Sequence, residues 1–199
     1  MASFVALAGV MQALESRLNA RLAQVRLPSN RVGTAKLLAS QDFQDLRRTG
    51  AGPMLGLYVH RVTVDAEARN AYRAVPPGSG QTPRPLLPLN LHFLLVASAP
   101  KASAADEIQM LAWGMRELAA LSALGMPELA DYDPSWTESE TVQILPEELP
   151  TEDLLKIWDA LPCKYSLTAT FVVRTVRVLL EVPASAGPVI KRVLEMGGV

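Results

Sequence analysis

The run Met54–Val64, MLGLYVHRVTV, sets the tightest limit on what this chain can fold into. β-Branched and aromatic residues dominate it, so it reads as a strand. Its first half is apolar at successive positions and would turn apolar side chains to both faces of a sheet. That predicts a strand lying centrally, covered on both sides. A second run, LNLHFLLVA at 89–97, places Leu89, Leu91, Phe93, Leu95 and Ala97 on one face at period two. Between the two, residues 74–88 hold five prolines together with Gly78, Ser79 and Gly80. This stretch reads as a surface excursion within one domain, because each flank looks like half of a single sheet.

Helices are expected on either side of these strands. Leu7, Met11, Leu14, Leu18, Leu22 and Val25 recur every three or four residues, a helical stripe that Pro28 ends. Lys36 to Leu46 reads as a short strand, and the GAGP run at 50–53 as a turn. Ser103 with Asp106 three residues on resembles a capping box for a helix. Ile108, Leu111, Met115 and Leu118 mark the expected buried stripe of that helix, with Gly125 and Pro127 as its stop. A short strand follows at 141–145, then a helix over 151–161 with Thr151 as N-cap, and a long strand over 165–180. The tail to Val199 reads as a last short helix or strand. The order is α-β-β-β-α-β-α-β. It predicts an α+β domain, helices packed on a mostly antiparallel or mixed sheet, over 1–180, with a C-terminal tail at 181–199.

Charge is arranged by region. Across 199 residues, 19 Lys and Arg face 20 Asp and Glu, near neutrality, which argues against a general nucleic-acid or anionic-membrane binder. Residues 1–75 nevertheless carry ten bases against five acids, while residues 128–163 carry Lys156 alone against ten acids. Unlike patches of this kind suit head-to-tail contact between copies, or an acidic loop folded near a basic face of the same molecule. Trp136, in the acidic stretch DYDPSWTESE, reads as an exposed anchor for a partner. No apolar run approaches the roughly 20 residues a spanning helix needs, and no signal peptide is evident, so synthesis in the cytoplasm is expected.

Catalytic groups are scarce. One cysteine, Cys163, excludes an intrachain disulfide and a multi-thiolate metal site. His60 and His92 fall inside strands and lack a third ligand, so packing histidines are expected rather than a metal centre. GAGPMLG at 50–56 precedes a strand instead of joining strand to helix, so it is not a phosphate loop. Residues 131–142 lack the glycine and the final glutamate of a calcium loop. No catalytic residue, metal or cofactor is expected.

Taken together, LGLYVHRVTVD (55–65) followed by Arg69-Asn70, RPLLPLNLHFLLVA (84–97), LAWGMRELAAL (111–121), LPTEDLLKIWDAL (149–161) and KYSLTATFVVRTV (164–176) are in a familiar order. The chain resembles the cap, or tail-terminator, proteins of extracellular contractile injection systems of the Photorhabdus virulence cassette and antifeeding prophage type. Some members are longer, with an extension beyond this domain. The resemblance implies a phage tail-terminator-like fold and a structural, non-enzymatic role. Six copies would form a ring on the baseplate-distal end of the inner tube, contacting the last sheath layer and ending growth. Partners would be the chain itself, the tube protein and the sheath protein, with neither nucleic acid nor membrane insertion, in an assembled particle that can be extracellular. Candidate interface residues are Arg47, Arg48, Arg61 and Arg69 against Asp131, Asp133, Trp136, Glu138, Glu140, Glu147 and Glu148. Alternatives are a baseplate-type adaptor of a tail-like assembly, or a small-ligand module or enzyme with a pocket between sheet and helices.

Overall fold

In a computed structural model, residues 3–44, 46, 52–71, 86–99, 104–138 and 140–180 are described, with the backbone alone at 69–71. Helix α1 (Ala6–Leu22) leads to strand β1 (Thr34–Leu37), a 3₁₀ turn (Ser40–Gln44), β2 (Met54–Val64) and α2 (Ala66–Ala71). After these come β3 (Leu86–Ser98), α3 (Ala104–Leu121), β4 (Ala123–Gly125), α4 (Met126–Leu129), β5 (Thr141–Pro146), α5 (Thr151–Asp159) and β6 (Thr168–Leu179). The strands form one sheet in the order β1-β2-β3-β6-β5-β4. Only β1 and β2 run parallel; the other neighbours are antiparallel.

Period-two alternation in β3 divides the molecule into two faces. Leu91, Phe93, Leu95 and Ala97 join Leu55 and Leu57 of β2, Val142 and Ile144 of β5, and Phe171 and Val173 of β6 beneath α1 and α3. Phe93 stacks on Phe171 with ring centroids 5.7 Å apart. On the opposite face Leu94 and Val96 meet Leu38, Phe43, Leu46, Trp158 and Leu161. There Phe43 packs edge-on against Tyr58 at 4.9 Å and Trp158 at 5.8 Å. Each such side chain removed from water contributes about 1.5–3 kcal/mol.

Local polar groups hold the helices in place. The Asn19 amide donates to the Ala35 carbonyl (2.9 Å) and accepts from the Ala35 N–H (2.8 Å), fastening α1 to the edge strand β1. Asp106, fully buried in the first turn of α3, accepts from the Ser29 N–H at 3.0 Å and ties down the chain after α1. Gly114 sits mid-helix, where glycine costs about 0.5–1 kcal/mol relative to alanine. A Cβ there would lie 2.6 Å from a Leu55 methyl, so the helix lies close against β2 and a larger residue would have to displace the Leu55 side chain.

Several expectations are corrected. Residues 36–46 do not form one strand: β1 ends at Leu37, and the Asp42 carboxylate accepts the Ala39 N–H (2.8 Å) to start a 3₁₀ turn. The first helix stops at Leu22, short of Pro28. In α3 the buried side is Asp106, Met110, Leu111, Trp113, Gly114 and Leu118, which leaves Ile108 and Met115 exposed. The close seat of Gly114 turns the helix this way. Helix α3 ends at Leu121, and Gly125 and Pro127 belong to β4 and α4. Pro150, not Thr151, occupies the N-cap of α5. The tail at 181–199 and most of the proline-rich excursion lie outside the described residues.

Candidate interaction surfaces

The acidic stretch after α4 is an internal brace. Asp133 is 2% exposed, and its Oδ2 accepts both the N–H and the hydroxyl of Ser3 at 2.9 Å. Its Oδ1 accepts the N–H of Ser135 at 3.0 Å and the Ser135 hydroxyl. Burial alone would raise this carboxyl, but the hydrogen bonds from Ser135 and Ser3 outweigh it and hold the pKa below the usual carboxylate range. Glu140 is buried too, and accepts the N–H (3.0 Å) and hydroxyl (2.8 Å) of Thr137. Trp136, expected to be exposed, is 4% exposed and belongs to the main core, its indole N–H without a partner. The loop folds inward because its carboxylates satisfy backbone and hydroxyl donors that would otherwise be buried unpaired.

A second polar cluster forms where β2, β3 and the end of β5 meet. A bulge at His60 shifts the β2–β3 register, so that Val59 faces Phe93 and Arg61 faces His92. The His92 Nδ1 lies 2.8 and 2.9 Å from the two Glu147 oxygens, and its Nε2 lies 2.9 Å from the Thr63 hydroxyl. Since a carboxylate only accepts, Nδ1 carries the proton and, in the neutral ring, Nε2 accepts from Thr63. Arg61 approaches Glu147 at 3.6 Å. Glu147 is itself placed by backbone, with its N–H donating to the Thr170 carbonyl at 3.0 Å and its carbonyl accepting the Thr170 hydroxyl. His60 and His92 have ring centroids 6.2 Å apart. Burial, then the His92 and Arg61 charges, push the His60 pKa down. A hollow of about 270 Å³ beside the cluster is lined by Asn90, His92, Glu147, Glu148 and Arg174 among others.

Of the sequence-chosen candidates, the structure brings Arg61 and Glu147 together within one chain. Asp131, Glu138 and Glu148 are exposed, whereas Asp133, Trp136 and Glu140 are buried. Arg69 lies on α2, and Arg47 and Arg48 fall outside the described residues. Sequence reasoning missed Thr63, Asn90, Asp65 and Thr175. Thr175 has φ +64°, an unusual conformation for a β-branched residue, at a bulge where Asn90 Oδ1 accepts its N–H at 3.0 Å. Asp65 caps α2 by accepting from Glu67 (3.1 Å) and Ala68 (3.0 Å), and an Asp followed by an alanine-rich helix was its available signal. Among the described residues, no group of three or more His, Cys, Asp or Glu is placed to hold a metal ion, and no helix is long and apolar enough to cross a membrane.

This arrangement of sheet and helices is a tube-terminator fold. The chain is similar to the sheath/tube terminator of an extracellular contractile injection system, PVC, in its extended state, with TM-score 0.57 and 16% identity over 96% of this chain and 63% of that one. It is also similar to the tube-terminating cap of the anti-feeding prophage, with TM-score 0.55 and 15% identity over 94% of this chain and 59% of that one. The chain therefore spans less than two thirds of the length of these structures. The family model described as the Pvc16 N-terminal domain matches residues 9–192, and the chain belongs to that family. No curated protein matches the sequence.

Proposed function

We propose that this chain is a structural cap that ends the inner tube of a phage-tail-like contractile injection particle. The observation that carries the reading is the family match over residues 9–192, joined to a fold shared with two tube terminators. In this reading six copies form a ring on the end of the tube distal to the baseplate, touch the last sheath layer, and work without catalysis or cofactor. Residues 1–180 act as the cap domain, 181–199 are its tail, and the protein travels with the particle once assembled. The physics suits the role. A growing end presents strand edges and subunit contacts, and a terminator must satisfy them without offering a fresh template. Both outer strands of this sheet are short, four residues in β1 and three in β4.

Ring contacts are heterologous, with unlike patches of neighbouring copies in register. Exposed Asp131, Glu138 and Glu148 supply the acidic side, and Arg47, Arg48 and Arg69 the basic side. Arg61 and Glu147, already joined within the chain, shape the surface between. Deleting the gene in producing cells and measuring tubes by electron microscopy tests the reading. Overlong or unsheathed tubes are expected, and complete particles of normal length would overturn it. Reversing Arg47 and Arg48 to Glu tests the contacts, with an overlong-tube defect expected that eases when the acidic partners are reversed as well.

A further inference from the structure

The outer half of β2 is a strand edge with an apolar groove beside it. Among the described residues, β1 ends its pairing at Leu37, opposite Leu57, while β2 continues to Val64 with no strand on that side. The bulge at His60 resets the register so that Val59, Val62 and Val64 sit opposite Phe93, Leu91 and Leu89, all on the face that α1 and α3 cover. Val62 and Val64 are therefore core-side residues, yet they are 47% and 46% exposed. Phe4, about one turn ahead of Leu7, is 83% exposed. Leu7 and Met11 of α1 face Val59, Val62 and Leu91 across a groove of about 610 Å³. Its one charged lining residue, Asp42, is already used by the Lys36 ammonium (3.1 Å) and the Ala39 N–H (2.8 Å). Apolar side chains gathered beside an unpaired strand edge mark a binding surface.

We propose that this edge binds an extended aliphatic segment of another polypeptide, which takes the place that β1 leaves beyond Leu37 and adds one strand to the sheet. Two requirements identify the occupant. The outward backbone groups of the stretch from Tyr58 to Val64 are matched along their length by another extended backbone. Successive residues of that strand point to opposite faces, so every second one enters the groove between α1 and β2. There it meets Leu7, Met11, Val62 and Leu91, with Asp42 already paired, and a charged side chain would lose its hydration without gaining a partner. The residues at those alternate positions are therefore uncharged and aliphatic. A helix laid in the groove would cover the same valines but leave the strand edge unmatched. A second copy fits less well, because antiparallel pairing of two β2 edges brings both α1 helices to the same side of the joined sheet, where they compete for the groove. Seated there, the added strand covers Val62 and closes the edge of β2. This inference does not rest on the cap reading.

A synthetic peptide that alternates valine with threonine, with a lysine at each end for solubility, tests the proposal on the full-length chain. Saturable binding is expected by fluorescence anisotropy, together with slowed hydrogen exchange of the outward backbone amides within 59–64. The same peptide with aspartate for every valine is expected not to bind. Val62→Asp is expected to weaken binding about tenfold through lost apolar burial, and its circular dichroism spectrum should be unchanged because Val62 already stands half in solvent. A further measurement needs no variant of the protein. Of two peptides N-methylated at alternate residues, one on each edge, one is expected to lose binding and the other to keep it, since a single edge of the added strand pairs with β2. No saturable binding, or equal binding of the two methylated peptides, would overturn the proposal. Amides in 59–64 that are all protected before peptide is added would overturn it by showing the edge covered within the chain. Concentration-dependent dimers that protect those amides would overturn it by assigning the edge to a second copy.

Discussion

The two faces of the sheet solve the same problem differently. Beneath α1 and α3 the sheet is apolar without a break, from Leu55 and Phe93 to Val173 and Ile144. On the α5 face a small aromatic cluster around Phe43 and Trp158 gives way to the Arg61–His92–Glu147 network. One strand serves both: in β3, Phe93 and Leu95 point one way, and His92 and Leu94 the other. The lesson is that stability is concentrated on one face, while the other trades apolar area for polar groups that fix the position of a loop. In an assembly, the second kind of surface is the one whose shape has to be set residue by residue.

Three substitutions break or sharpen this contrast, beginning with the largest effect. Phe93→Ala removes a fully buried ring stacked on Phe171 and is expected to cost about 4–5 kcal/mol in denaturant unfolding. Trp158→Ala on the other face is expected to cost less, near 3 kcal/mol, because it also deletes an indole N–H that has no partner. Equal costs would erase the asymmetry between the faces. Asp133→Ala is expected to cost about 1–3 kcal/mol, since the donors of Ser3 and Ser135 lose their acceptor.

The Asp133 contribution has a defined pH sign. Its folded pKa is lowered, so the stabilisation is present above the unfolded value near 3.9 and is lost as pH falls through the folded value. Asp133→Asn should therefore flatten the acid limb of a stability–pH curve below about pH 4, and an unaltered limb would show that the brace does not titrate. The smallest effect is expected at His60. Its pKa is lowered by burial and by neighbouring positive charge, so folding disfavours its protonated form, and stability falls as pH drops below the unfolded value near 6.5. His60→Gln should remove that upper part of the decline and leave the Asp133 part in place, which thermal melts from pH 7 to 3 would resolve.

Local pattern carried much of the fold. The strand read at 54–64 is β2 to the residue, and that read at 141–145 is β5 less one residue. Period two along β3 also named the core side correctly, because alternation is a property of the extended backbone itself. Early β2 is apolar on both faces because Leu55 and Leu57 enter the core beneath α1 and α3, while Met54 and Tyr58 pack on the Phe43–Trp158 cluster of the opposite face. What local pattern could not carry was the rotation of α3, set by a glycine against Leu55, and the inward turn of the acidic loop. Ten acids against one base read as a solvated surface, yet Asp133 and Glu140 are buried because serine and threonine donors receive them.

The sequence by itself thus determined the long helices and main strands, the apolar side of β3, the α+β class and, through the order of its segments, the family. Only the tertiary structure decided that His92 meets Glu147 55 positions away, that Trp136 lies in the core, and that β2 outruns its neighbour to leave a groove. The physical reason is that backbone periodicity is written in adjacent residues. The pairing of a buried charge, or the covering of a strand edge, depends on groups that become neighbours only when distant segments pack.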